Sequence, residues 1–261
     1  MTCTRMSATL ALATMGLVRA IFAQGAMAGS AATALTRFTV TVEDLSTAST
    51  LKLSKGGAMS VPLSAVAWAV HTGGNPMFTP GQIEPGIGLK GLAEAGMARE
   101  FAANLGRVPG VRSHGACDDA PAAPMKGGGM KAPASMCRML TAGDRSQFTI
   151  EARPGDKLSL AAMLGPSNDG LVASGAAGIA LFDAGGRPLA GNVTAQMSLW
   201  DAGTEVNEEP GLGPNQGVNQ QAPNAGDPER RPVRAMADVE FGRLWPPAGR
   251  IVRVTLSPAK I

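Results

Sequence analysis

Apolar and polar residues alternate with a period of two over Phe38-Thr-Val-Thr-Val-Glu-Asp-Leu45, which predicts a half-buried β-strand. Met59 to Val70 reads as a second strand, with Pro62 placing its start at a sheet edge. Further strands are predicted at Gln147–Ala152, Lys157–Leu164, Gly178–Phe182, Thr194–Trp200 and Ile251–Leu256. Only Leu89–Leu105 changes period. Leu92, Met97, Phe101 and Leu105 fall near helical spacing there, and Gly106 can end the helix. Residues 71–88 are rich in turn residues. Short strands separated by Gly, Pro and Asp turns predict an all-β fold, an antiparallel β-sandwich with one short helix and long loops. Nothing repeats at a fixed period, which argues against a solenoid or propeller.

Two stretches escape this pattern. Residues 117–137 are rich in Ala, Pro, Gly and Met and read as an insertion; residues 203–234 form a long polar loop dominated by Asn, Gln, Pro and Gly. Structureless stretches of this length in a compact domain are usually functional or mobile. Composition narrows the class further. With 34 Gly and 19 Pro among 261 residues, a coiled coil is excluded. The body has no apolar run of about 20 residues, so a multi-pass membrane protein is excluded too. A net charge of +3 is too small and too dispersed to argue for nucleic acid.

Residues 1–28 carry Arg5 and Arg19, no acid, an apolar stretch from Met6 to Val18 and the small-x-small site Ala26-Met-Ala28. They read as an export signal cleaved after Ala28, leaving no membrane span and placing the mature chain in a periplasm or outside the cell. Cleavage removes both arginines, taking the net charge from +3 to +1, and removes Cys3. Cys117 and Cys137 remain, and two cysteines in an exported protein suggest one disulfide.

Motif chemistry is sparse. Gly86-Ile-Gly-Leu-Lys-Gly91 fits G-x-G-x-x-G but follows Pro-Gly turns rather than a strand, so it reads as a turn and not a nucleotide site. The two histidines, His71 and His114, have no identifiable nucleophile to activate; His71 reads as a hydrogen-bonded residue at a strand end. The acids are more informative. Asp169 follows one apolar strand, and Asp201 and Glu205 follow another. Carboxylates at strand ends put negative charge at the rim of a sandwich, where loops converge. A hard cation such as Ca²⁺ takes six to eight oxygens, which such loops can supply. Gly203 lets its loop fold back so that Asp201 and Glu205 can face one point. The same acids would equally serve as solvated turn residues.

Phe38-Thr-Val-Thr-Val-Glu-Asp-Leu45, Trp68-Ala-Val-His71, Met77-Phe-Thr-Pro-Gly81, Pro166-Ser-Asn-Asp169 and Trp200-Asp-Ala-Gly-Thr-Glu205 together resemble the spondin domain, its bacterial secreted branch above all. The resemblance runs from about residue 36 to residue 261, interrupted by 117–137. It implies a C2-like antiparallel sandwich, a role in adhesion or binding rather than catalysis, and one calcium ion at the loop rim. The family's calcium ligands fall on Asp169, Asp201 and Glu205. Glu205 stands where the family has Asp, a longer arm that can still coordinate. Gly170 stands where an aromatic commonly follows the Asp, which predicts a looser rim.

The expected function is an exported, non-enzymatic binding module, its partner an extracellular or envelope protein or a glycan. Two other classes compete. Met125, Met130, Met136 and Met139 lie near His114, Cys117 and Cys137, and such soft ligands suit Cu(I) in a copper-handling 114–139 loop. A secreted hydrolase would use Glu208 or Glu209 as acid or base with Asp201 as its partner. A chain with no Tyr, 3 Trp and 7 Phe has little from which to build a sugar-stacking cleft.

Overall fold

The computed structural model describes residues 35–116, 138–223 and 225–259. The expected export signal over residues 1–28, the expected disulfide between Cys117 and Cys137, and Met125, Met130 and Met136 lie outside the described residues. In chain order the strands are β1 (Thr36–Asp44), β2 (Leu51–Lys52), β3 (Ala58–Met59), β4 (Ala67–His71), β5 (Val111–Ala116), β6 (Arg145–Ala152), β7 (Lys157–Met163), β8 (Gly170–Ser174), β9 (Ile179–Ala180), β10 (Gly191–Asn192), β11 (Met197–Asp201), β12 (Arg234–Ala235) and β13 (Val252–Pro258). Two helices, α1 (Leu89–Ala95) and α2 (Ala98–Leu105), separate β4 from β5.

A four-stranded sheet has the order β10-β13-β1-β6. A seven-stranded sheet has the order β12-β11-β8-β7-β4-β5, with β9 paired to β7. All of these pairings are antiparallel, so the fold is the all-β sandwich that the strand pattern predicts. The alternation of β1 is expressed directly. Phe38, Val40 and Val42 are buried inward, against Phe148 and Ile150 of β6 and Val252, Val254 and Leu256 of β13. Across the sandwich they belong to the same core as Val70, Leu158, Leu160, Ala162 and Val172. Each large side chain withdrawn from water contributes roughly 1.5–3 kcal/mol to holding the sheets together.

The larger sheet is covered on both faces. Its outer face carries small residues, Ala67 and Ala69 on β4, Ala161 on β7 and Ala173 on β8, which let Leu89, Leu92, Phe101 and Leu105 of the helices pack close. Burial on both faces explains why β7 and β8 are apolar nearly throughout instead of alternating. Residues 60–66 are irregular; the strand expected over Met59–Val70 is confined to β3 at one end and β4 at the other, and Leu63 makes only isolated bridges to Leu140 and Leu164.

The single helix expected over Leu89–Leu105 is two. Gly96 adopts a left-handed conformation, φ 67°, and its N–H bonds the Leu92 carbonyl while that of Met97 bonds Gly91, a pattern that terminates α1. Leu92, Phe101 and Leu105 lie in the core as their spacing predicts, but Met97 sits at the break and is 43% exposed. Among the described residues, no helix is long and apolar enough to cross a membrane.

Candidate functional site

Two adjacent strands build the rim. β7 ends at Met163, a turn follows, and Asp169 stands immediately before β8. β11 ends on Asp201, whose register partner is Gly170. Antiparallel pairing therefore brings the start of one strand and the end of the other together, and with them two acids 32 positions apart. Both side chains are fully buried.

The chain after Asp201 wraps around Asp169. The Thr204 N–H donates to Asp169 Oδ2 at 2.6 Å, the Thr204 hydroxyl at 3.2 Å and the Glu205 N–H at 3.2 Å. Gly203 makes that wrap possible. It has φ 68°, and a Cβ there would run into the Arg231 carbonyl oxygen. Its own carbonyl accepts the N–H groups of Arg230 and Arg231, so the return segment lies directly against the turn.

Asp201 is fully engaged. Oδ1 accepts from the Gly203 N–H at 3.0 Å and Arg234 Nε at 3.2 Å, and Oδ2 accepts from Asn207 Nδ2 at 2.6 Å. The second oxygen of Asp169, Oδ1, is buried with no donor. Burial, and then the Asp201 charge, push the Asp169 carboxyl up to about 7. Asp201 is also raised by burial, against the pull of Asn207 and Arg234.

Glu205 is 1% exposed, and its longer arm carries the carboxylate to a second neighbourhood. Asn168 Nδ2 donates to Oε1 at 3.4 Å, and Oε2 is buried without a donor. Burial pushes this group up to about 7, with the Glu94 and Glu208 charges adding to the rise and Lys90 opposing it. Glu94 of α1 is itself buried, with one oxygen bonded to Lys90 and the other without a donor. Sequence reading missed Glu94, Asn168, Asn207 and Arg234. A lone acid in a helix, two asparagines in turns and an arginine 33 positions beyond Asp201 carry no signal of convergence until the fold is known.

Gly170 does not loosen the rim. A Cβ there would meet Ser167 Oγ and Met236 Cε, both at 2.7 Å, so those two side chains already fill the space an aromatic would need. The predicted 203–234 loop ends in β12 at Arg234; before that, its described residues form no helix or strand beyond an isolated Glu205–Pro228 bridge, but the loop is tied down. Glu208 accepts from Asn215 and Asn168, Glu209 is held by the N–H and hydroxyl of Ser54, and the buried Gln216 bridges Glu209 and Gly211. Glu208 and Glu209 thus bind different structural partners, Glu208 within its own loop and Glu209 on Ser54.

His71 behaves as its position at the end of β4 predicts, with Nε2 at 2.8 Å from Ser159 Oγ, both buried. The His114 ring packs against Gly106, and Met139 is exposed.

For calcium, the donor chemistry fits. Every candidate atom is a hard oxygen, and Asp169 Oδ1 and Glu205 Oε2 are buried acceptors lacking partners. Among the described residues, however, no three His, Cys, Asp or Glu side chains come together as a group that could hold a metal ion, so the structure does not bring Asp169, Asp201 and Glu205 together as one ligand set. No protein-family profile matches the chain, and no curated protein is significantly similar to it.

Proposed function

We propose that this chain is an exported, non-enzymatic binding module of spondin type, in which a calcium ion held by Asp169, Asp201 and Glu205 orders the loop rim for a partner. The observation that carries this reading is the unpartnered Asp169 Oδ1, buried beside a second buried carboxylate. An acceptor in that position costs roughly 1–3 kcal/mol, more when it is charged. A cation bound beside it would offset that cost, as does the proton that burial favours on Asp169 below about pH 7.

Bound at the rim, a divalent ion turns the repulsion between carboxylates into coordination. The protein's own residues do the rest. Thr204 and the Glu205 N–H fix Asp169, Gly203 fixes the turn, and the Asn168–Glu208–Asn215 bonds fix the long loop beside them. The rim then presents polar, hydrogen-bonded loops to an envelope or extracellular protein or a glycan.

The reading is tested by calorimetric titration of the metal-stripped protein with CaCl₂. One ion per chain is expected, with Asp169→Asn abolishing the heat. Absence of binding at millimolar calcium would contradict it.

A further inference from the structure

One side of the sandwich is left open by the sequence of a single strand. β5 ends the seven-stranded sheet and β6 ends the four-stranded one. Directly paired residues of neighbouring strands point to the same face. The inward-facing Trp68 and Val70 of β4 are paired with Gly115 and Ser113 of β5. Where β1, β6 and β7 send Val, Leu or Phe into the core, β5 sends a hydroxyl and no side chain. The space over Gly115 is taken by the Trp68 indole, whose Cζ2 lies 2.6 Å from where a Cβ would stand. The indole in turn stacks on Phe148 of β6 with ring centres 5.1 Å apart. Beside it a cleft of about 420 Å³ remains, lined by residues of both end strands, Ser113 and Ile150 among them, and by Trp68. That volume is in the range of small-molecule sites.

The cleft carries a positive charge that its own acids do not balance. Asp156, its side chain 2% exposed, is used on both oxygens. Arg112 Nε lies 2.7 Å from Oδ1, and the Arg153 N–H donates to Oδ2 at 2.9 Å. One sealed carboxylate thus anchors both arginines at the cleft. Arg112 meets it through Nε, which leaves the Nη1–Nη2 edge of the guanidinium for another anion. Glu151, the other acid of the lining, is paired with Arg37 at 3.0 Å. Arg153 has no ion pair among the described residues. An apolar floor is therefore combined with one uncompensated charge, and the Ser113 hydroxyl in the wall is buried without a hydrogen-bond partner.

We propose that this cleft binds a small amphipathic carboxylate, its apolar body on Trp68 and Ile150 and its acid group between Arg112 and Arg153. The site uses none of the rim acids and stands or falls apart from the calcium reading. A neutral ligand of the same shape gains only the apolar contact, and a cation is repelled by Arg153.

The test titrates the protein calorimetrically with 2-naphthoate and with its neutral counterpart, 2-naphthalenemethanol. One naphthoate per chain is expected at a submillimolar Kd, with the alcohol about tenfold weaker or more, since a hydrogen bond to a charged group contributes more than a neutral one. Arg153→Gln changes an exposed side chain; it is expected to weaken naphthoate about tenfold and to leave the alcohol within about twofold. Ser113→Leu extends an apolar side chain into the cleft and is expected to abolish binding of both, with thermal melting to show that it folds. Should it not fold, the split between acid and alcohol in Arg153→Gln decides alone. Equal affinity for acid and alcohol overturns the proposal. So does naphthoate binding that Arg153→Gln or a folded Ser113→Leu leaves undiminished, and so does the absence of any binding at millimolar naphthoate.

Discussion

Asp169 and Asp201 share one environment because Gly170, the first residue of β8, is the register partner of Asp201, the last residue of β11. Each is buried, and each makes ionisation of the other harder. In the metal-free protein this arrangement opposes folding above the ordinary carboxylate range. The Asp169 carboxyl is raised from 3.8 to about 7, so its protonated form stabilises the fold at low pH and that contribution is lost as pH rises through about 7.

Asp169→Asn should therefore stabilise the metal-free protein, by little at pH 4 and by about 1 kcal/mol or more at pH 8. The amide oxygen can still accept from Thr204 and Glu205. Urea unfolding in EGTA at the two pH values measures this. Equal destabilisation at both would show that the carboxylate is not held against its own charge.

Gly203→Ala should cost roughly 2 kcal/mol or more, from a left-handed backbone and a clash with the Arg231 carbonyl. Gly155→Ala, also at positive φ but with open space around it, should cost only the backbone contribution. The difference in melting midpoint between the two variants reads the close approach of the 228–231 segment alone.

The sandwich was legible wherever one face of a strand meets water, as in β1 and β6, whose buried residues alternate strictly or nearly so. It was illegible at β8. Gly-Leu-Val-Ala-Ser is buried on both faces and too short to declare a period. β5 is hidden for another reason: Arg112, Ser113 and His114 give no apolar alternation, and pairing with β4 alone makes it a strand. The helix pattern was right in its core face but blind to Gly96, which acts through a left-handed cap and not through hydrophobicity. At the site, Asp169, Asp201 and Glu205 stand out because they follow apolar runs. Arg234 and Glu94 reach the same rim from distant segments, which only the pairing of β12 with β11 and the docking of α1 bring close.

His71 supplies a pH test independent of the rim. Burial holds its imidazole below the ordinary 6.5, beside Ser159. A depressed folded-state value means stability is present above pH 6.5 and is lost as pH falls below it, where the unfolded chain takes up a proton that the folded one resists. The unfolding midpoint of the wild type should thus fall relative to that of His71→Gln between pH 7 and pH 5.5. A constant difference between the two proteins over that interval would mean the imidazole titrates normally.

The central claim is that the rim is a calcium site, and thermal unfolding tests it most directly. The wild type and Asp201→Asn are melted in EGTA and then in calcium at about one hundred times the dissociation constant. A ligand at that excess adds about 2.7 kcal/mol, which for a chain of this size raises the midpoint by roughly 5–11 °C. That rise in the wild type, with none in Asp201→Asn, is the predicted result. An unchanged wild-type midpoint, or an equal rise in both proteins, would contradict it.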